Sequence, residues 1–166
     1  MSGSNSEMAR IEAAWNELVE LVNRVQDADG LTRTGADGWT VKDHLAHVAA
    51  WERSLLGLVD GRDRLVAMGL EDPIEENTDA INEAILKLHQ SDTPDEALGY
   101  FRDSHAQLMA ALGNLSEADL QKPYSHFQPS DPDEKRPVIG WVEGNTYQHY
   151  AEHIAWIRTS VTESLS

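Results

Sequence analysis

Apolar residues recur at steps of three and four near the start of the chain, at Met8, Ile11, Trp15, Leu18, Val22 and Val25. That spacing is the period of an amphipathic helix. Ahead of it, Ser4-x-x-Glu7 reads as a capping box, with the Ser4 oxygen accepting from the Glu7 N–H. "DADGLTRTGADG", Asp27 to Gly38, breaks the pattern with three glycines and reads as a loop. A second helix is predicted after Trp39. Thr40 is its N-cap, Asp43 meets the dipole in its first turn, and Val41, Leu45, Val48, Leu55 and Val59 form its stripe. Residues 61–73 are weakly patterned, and 74–88 predict a shorter helix through Ile81, Ile85 and Leu88.

"TPDE" is the clearest helix start. Thr93 caps, Pro94 takes the first helical position and Glu96 completes the box. Ala97, Phe101, Leu108, Ala111 and Leu112 continue the third long helix, and Gly113 is expected to end it. Gln121 to Pro137 holds four prolines and reads as a long surface loop. A last helix is predicted from Val138 to Thr162. No segment alternates as a strand does. The reading is all-α: a four-helix bundle with a minor extra helix and a long Pro-rich loop before the last helix. At 166 residues the chain fits one domain, residues 1–166.

Charge and composition remove several functions. The formal charge of −16 disfavours nucleic acid, whose binding draws on Lys and Arg against phosphate, and it disfavours anionic membranes. No window approaches the roughly 18 apolar residues that span a bilayer. The N-terminal stretch has no apolar core of a secretory signal, so the cytoplasm is the expected compartment. There is no cysteine, which excludes disulfides, thiolate metal sites and a cysteine nucleophile. Any metal must be held by His, Asp or Glu.

Seven histidines then become informative. His149 and His153 lie four apart in "NTYQHYAEHIAWI" and project within about 40° of each other on a helix. Both fall on the inward half of the predicted last helix. They are either two metal ligands or two stacked core histidines. Two ligands do not complete a site, and the second helix offers a third in His44 or His47, with His47 sharing a side with Trp51 and Leu58. Three neutral imidazoles would suit a zinc or nickel ion with positions left open. His105, near the stripe of the third long helix, reads as a core histidine or as one that hydrogen-bonds a ligand. His89 and His126 read as ordinary.

"WTVKDHLAHVAAWE", Trp39 to Glu52, resembles the Trp-Ser/Thr-x-x-Asp-x-Leu-x-His-Leu block on the second helix of the DinB/YfiT-like four-helix bundles. "GNTYQHYAEHIAWI", Gly144 to Ile157, resembles their His-x-x-x-His block on the last helix. Within that superfamily the chain is most similar to the ClbS/DfsB-type branch. The N-terminal domains of mycothiol-dependent maleylpyruvate isomerases look related too. The resemblance implies up-down-down-up connectivity and a metal held by His47, His149 and His153. One departure is that Ile154-Ala155-Trp156 stands where many members carry Gly-Gln after the final histidine. Another is that some members of the branch lack the triad.

The resemblance further implies a metal-dependent enzyme, a hydrolase or thiol transferase, acting on a small electrophilic molecule. The divalent metal would be zinc or nickel, and any thiol would be a low-molecular-weight cofactor, since the chain has none. Glu52 is the candidate base or hydrogen-bond acceptor, being a carboxylate on a core stripe; its alternative is an ion pair with Arg53 or Arg158. Asn145, one turn before His149, is a candidate for binding substrate or a ligand histidine. Trp51 and Trp156 are candidate pocket walls, though Trp at helical spacing is often core. The alternative function is a metal-free bundle that sequesters a small molecule, as a resistance or stress protein. The expected partners are a small-molecule substrate and, for assembly, a homodimer; neither nucleic acid nor membrane is expected.

Overall fold

A computed structural model of the chain describes residues 2–25, 29–71, 74 and 77–163, with the side chains of 2–5, 162 and 163 left aside. Among the described residues there are helices and two isolated β-bridges but no strand. Four long helices carry the architecture: α1 (Ser2–Val25), α2 (Val41–Val59), α5 (Pro94–Leu112) and α9 (Tyr147–Glu163). The connections hold α3 (Arg64–Ala67), α4 (Thr78–His89), α6 (Glu117–Leu120), α7 (Tyr124–Phe127) and α8 (Ile139–Asn145). The result is a four-helix bundle. The Ser4 side chain, and with it the expected capping box, lies outside the described residues.

The N-caps form as the sequence predicts. Asp43 N–H donates to Thr40 Oγ1 at 3.1 Å while the Thr40 N–H donates to Asp43 Oδ2 at 2.8 Å. At α5 the Glu96 N–H donates to Thr93 Oγ1 at 3.2 Å and the Thr93 N–H to Glu96 Oε2 at 2.7 Å. Each box satisfies two backbone donors that the first helical turn leaves without partners.

Helix α2 is the centre of the bundle. It packs on α5 and α9, and α1 packs on α9. Leu45, Val48, Leu55 and Leu58 of α2 are fully buried, with Ile11 and Leu18 of α1, Phe101 and Leu108 of α5, and Tyr150 and Ile157 of α9. Apolar and small residues extend almost all round α2, the composition of a helix covered on every side. A second cluster of Ala50, Met68, Leu70 and Ile85 seats α3 and α4 on its outer flank. Gly57 permits the close approach of α3, because a Cβ there would lie 2.7 Å from Ala67 Cβ.

Three expectations need correction. Residues 61–73, unpatterned in sequence, contain α3, which Asp63 starts by accepting from the Val66 N–H at 2.9 Å. The Pro-rich stretch is not wholly irregular: it contains the single turn α7. It also folds back on itself through a bridge between Pro123 and Pro137. Gln128 pins this loop to the end of α2 by donating from Nε2 to Arg62 O at 2.9 Å. Finally, the last helix is two helices. Thr146 leaves helical geometry at φ −123°, ψ −111°, and its hydroxyl donates to Val142 O at 2.6 Å. Glycines at 140 and 144 weaken the preceding turns, and a threonine hydroxyl that bonds its own backbone competes with the helix ladder.

Candidate metal centre

His47 on α2 and His149 and His153 on α9 converge. One ring nitrogen from each lies within 4.8 Å of the other two. His153 Nε2 and His149 Nε2 are 3.0 Å apart, and the His47 ring centroid is 5.1 Å from that of His149 and 4.9 Å from that of His153. The i, i+4 spacing brings the two rings of α9 together edge to face, with centroids 4.5 Å apart, and the packing of α2 against α9 supplies the third.

Burial sets the charge state of these rings. It pushes the His47 pKa down to about 3, with His149 and His44 nearby adding to the effect. It pushes His149 down to about 4, and His153 well below the ordinary value, with His149, His47 and His44 contributing. Three imidazoles kept unprotonated and crowded together are a donor set suited to a divalent transition metal. His47 Nδ1 and His149 Nδ1 are buried without a hydrogen-bond partner in the protein, so this cluster is not a self-satisfied polar network. The triad could therefore hold a metal ion.

The triad forms part of the wall of a cleft of about 280 Å³, together with Trp51, Asn145 and Trp156. A larger cleft of about 870 Å³ shares Trp51, Thr78 and Asn145 with it and extends to Arg64, Tyr124, Gln128 and Trp141. The Pro-rich loop thus borders the open side. Asn145 is fixed by donating from Nδ2 to Trp141 O at 2.8 Å, and Trp51 by donating to Asn82 Oδ1 at 3.1 Å. Trp156 is 46% exposed, at the mouth rather than in the core.

Glu52 lies elsewhere. It is fully buried, it does not border either cleft, and its hydrogen-bond partners are not Arg53 or Arg158, although the nearby charge of Arg53 favours its ionised form. His105 Nδ1 is 2.9 Å from Glu52 Oε1, and the Tyr150 hydroxyl donates to the same oxygen. Trp15 stacks on His105 with ring centroids 3.6 Å apart. Burial raises the Glu52 pKa, opposed by the bonds from His105 and Tyr150. Arg53 instead donates to Ser104 Oγ at 2.9 Å, and Arg158 donates to Glu17 at 2.8 Å.

Two further residues adjoin the triad: His44, which from spacing alone rivals His47 as ligand, and Trp39, for which the sequence offers no role at the site. His44 Nδ1 sits 2.9 Å from His153 Nδ1, on the side of that ring away from His149. Trp39 packs on both α2 histidines, 5.2 Å from His44 and 5.1 Å from His47 between ring centroids. The i−3 spacing of His44 to His47 was the only available signal for the former.

Comparison with known proteins agrees with the bundle fold. Residues 10–157 match the family described as the DinB superfamily. No curated protein is significantly similar in sequence. Among solved structures, the chain is similar to one titled "Sibling Lethal Factor Precursor - DfsB", with a TM-score of 0.71 at 19% identity over 99% of this chain and 98% of that one. A protein from Streptococcus pneumoniae matches at a TM-score of 0.71 and 16% identity, covering 95% of this chain and 90% of its own. An uncharacterised protein from Clostridium difficile 630 matches at 0.71 and 14%, covering 95% of each. At these identities the likeness establishes the fold.

Proposed function

From a chain that belongs to the DinB superfamily and gathers three neutral histidines beside a cleft, we propose a metal-dependent enzyme acting on a small electrophilic molecule. His47, His149 and His153 hold the divalent ion, zinc or nickel. When bound, such an ion supplies Lewis acidity and lowers the pKa of a coordinated water or low-molecular-weight thiol, giving a nucleophile near neutral pH. Three uncharged ligands leave the ion's full charge available for that purpose. The reaction is hydrolysis or thiol transfer, and because the chain has no cysteine, a thiol must enter as a cofactor.

The protein's own residues orient and enclose. Trp51 and Trp156 offer flat apolar faces on either side of the triad. Asn145 keeps its amide oxygen for substrate while its Nδ2 is held by Trp141 O. Glu52 takes no part in proton transfer, because it is sealed in the core with His105 and Tyr150. The observation that carries the proposal is the meeting of three unprotonated imidazoles, those of His47 and His153 buried and that of His149 half-buried, at the edge of an open cleft.

Elemental analysis of protein purified without a nickel column tests it, followed by a screen of electrophiles with water, bacillithiol, mycothiol or glutathione. One divalent ion per chain and metal-dependent turnover are expected. Failure to take up zinc or nickel on titration overturns the metal; stoichiometric ligand binding without turnover favours the second reading. That reading is a sequestering bundle, and the aromatic walls of the 870 Å³ cleft, Trp51, Tyr124 and Trp141, speak for it.

A further inference from the structure

The loop between α1 and α2 approaches the buried side of the triad. Gly35 lets it do so, since a Cβ there would fall 2.1 Å from Ser160 Oγ on α9. Gly35 N–H donates to Trp39 O at 2.8 Å, and Gly38, at φ +85°, donates to Gly35 O at 3.0 Å. This turn fixes Asp37. Its Oδ1 accepts from the Trp39 N–H at 3.0 Å, and its Oδ2 lies 3.2 Å from His44 Nε2, off the line of an ideal hydrogen bond. His44 is 1% exposed, with Trp39 on one side and Trp156 on another, and its other nitrogen meets His153 Nδ1 at 2.9 Å. Asp37, His44 and His153 therefore form a line that ends at the triad.

We infer that Asp37 and His44 are positioning residues that fix the tautomer of His153 and so aim its Nε2 lone pair at the metal, an inference resting on the metal reading above. The logic is one of donors and acceptors. An ionised carboxylate only accepts, so Asp37 keeps the His44 proton on Nε2. A neutral His44 then has a bare Nδ1, which only accepts. Between two facing Nδ1 atoms one must donate, so His153 carries its proton on Nδ1. Its Nε2 is left with a lone pair, facing His149 Nε2 at 3.0 Å. In the opposite arrangement His44 donates from Nδ1, the proton of His153 moves to Nε2, and the ligand atom is blocked. Metal-binding histidines are ordinarily oriented by one such partner on the far nitrogen. Here a second imidazole stands between carboxylate and ligand, and it carries the preference from an exposed loop to a fully buried ring.

Asp37→Asn is the sharpest variant. The amide keeps an oxygen for the Trp39 N–H and turns its NH₂ toward His44 Nε2. It converts the acceptor of the line into a donor without changing its shape. Long-range ¹H–¹⁵N spectra of histidine-labelled, metal-free protein give the readout. Wild type is expected to show His44 protonated on Nε2 and His153 on Nδ1. Asp37→Asn is expected to reverse both, Asp37→Ala to leave a mixture, and zinc affinity to fall on the order of 10- to 100-fold in the asparagine variant. A loop that served only stability would change melting and leave the tautomers alone. Finding His153 protonated on Nε2 in wild type, or unchanged tautomers in Asp37→Asn, overturns the inference. Because the tautomers are read without metal, a wild type that binds no zinc yet shows the expected tautomers would sink the proposed function, and with it the aim at a metal, while leaving the control of the His153 tautomer by Asp37 and His44 standing.

Discussion

Two groups of polar side chains lie inside this bundle, and they differ in whether a cleft reaches them. Glu52, His105 and Tyr150 bond to one another across α2, α5 and α9, under the stacked ring of Trp15. His47, His149 and His153 crowd together between α2 and α9, leave two buried nitrogens without partners, and border a cleft. Each group leaves buried atoms without a partner, Glu52 Oε2 in the first and two imidazole nitrogens in the second, but only the second lies where a ligand can reach it. Residue type alone misleads, since the carboxylate is the more conspicuous catalytic candidate and it belongs to the group that neither cleft reaches.

The largest expected effect separates the two groups by metal. His149→Ala should abolish zinc binding in titration calorimetry, because two histidines make too weak a site. The cavity should cost only about 1–2 kcal/mol, a loss that four long packed helices can absorb. Stoichiometric zinc binding by the variant would remove His149 from the ligands, and an unfolded variant would make it structural.

Glu52→Ala should do the reverse. It strands His105 and Tyr150 in the core and should destabilise by about 3–5 kcal/mol in urea unfolding of the metal-free protein, the range for breaking a buried pair. Tyr150→Phe removes one donor and should cost about 1–2 kcal/mol. Zinc affinity of the folded Tyr150→Phe protein should stay near wild type. An equal loss of affinity in Tyr150→Phe would mean that the two groups are one coupled unit.

Acid should produce the smallest effect, and with a sign that tells the groups apart. The folded pKa values of His47 and His149, about 3 and about 4, lie below the unfolded 6.5. Below pH 6.5 the unfolded chain then binds more protons, so their contribution is fully present above 6.5 and is lost as pH falls toward about 3. Glu52 has a raised folded pKa, so its contribution runs the other way, present below 4.5 and lost as pH rises. Between pH 6.5 and 5 the histidines dominate, and urea unfolding of the metal-free protein should show stability declining through that window. Added zinc should steepen the decline, because protonation expels it. A flat profile would mean that the rings are protonated in the folded state.

Local chemistry made much of this molecule legible in advance. Thr40 with Asp43 in the first turn, and the Thr93–Glu96 capping box, announce two helix starts, since a cap and its first turn lie within four residues. The period of apolar positions announces the long helices. His149 and His153 are neighbours on any helix, so two of the three triad residues need no tertiary knowledge, and the superfamily resemblance pointed to His47 over His44. Other features depend on contacts between residues far apart in sequence. α3 is held by α2 through Gly57. Pro123 and Pro137 close the Pro-rich stretch, and Gln128 ties it to the end of α2. The interruption at Thr146 is set by a side-chain bond that competes with the helix ladder, which apolar periodicity does not register. Glu52 read as a reactive carboxylate because its partners, His105 and Tyr150, are 53 and 98 residues away. The sequence by itself determined which helices form and which side chains could carry chemistry, because caps and periodicity act within a turn or two. Only the packing of α2 against α5 and α9 decided which polar groups were sealed in the core and which were left facing a cleft, because burial is a property of the assembled interior.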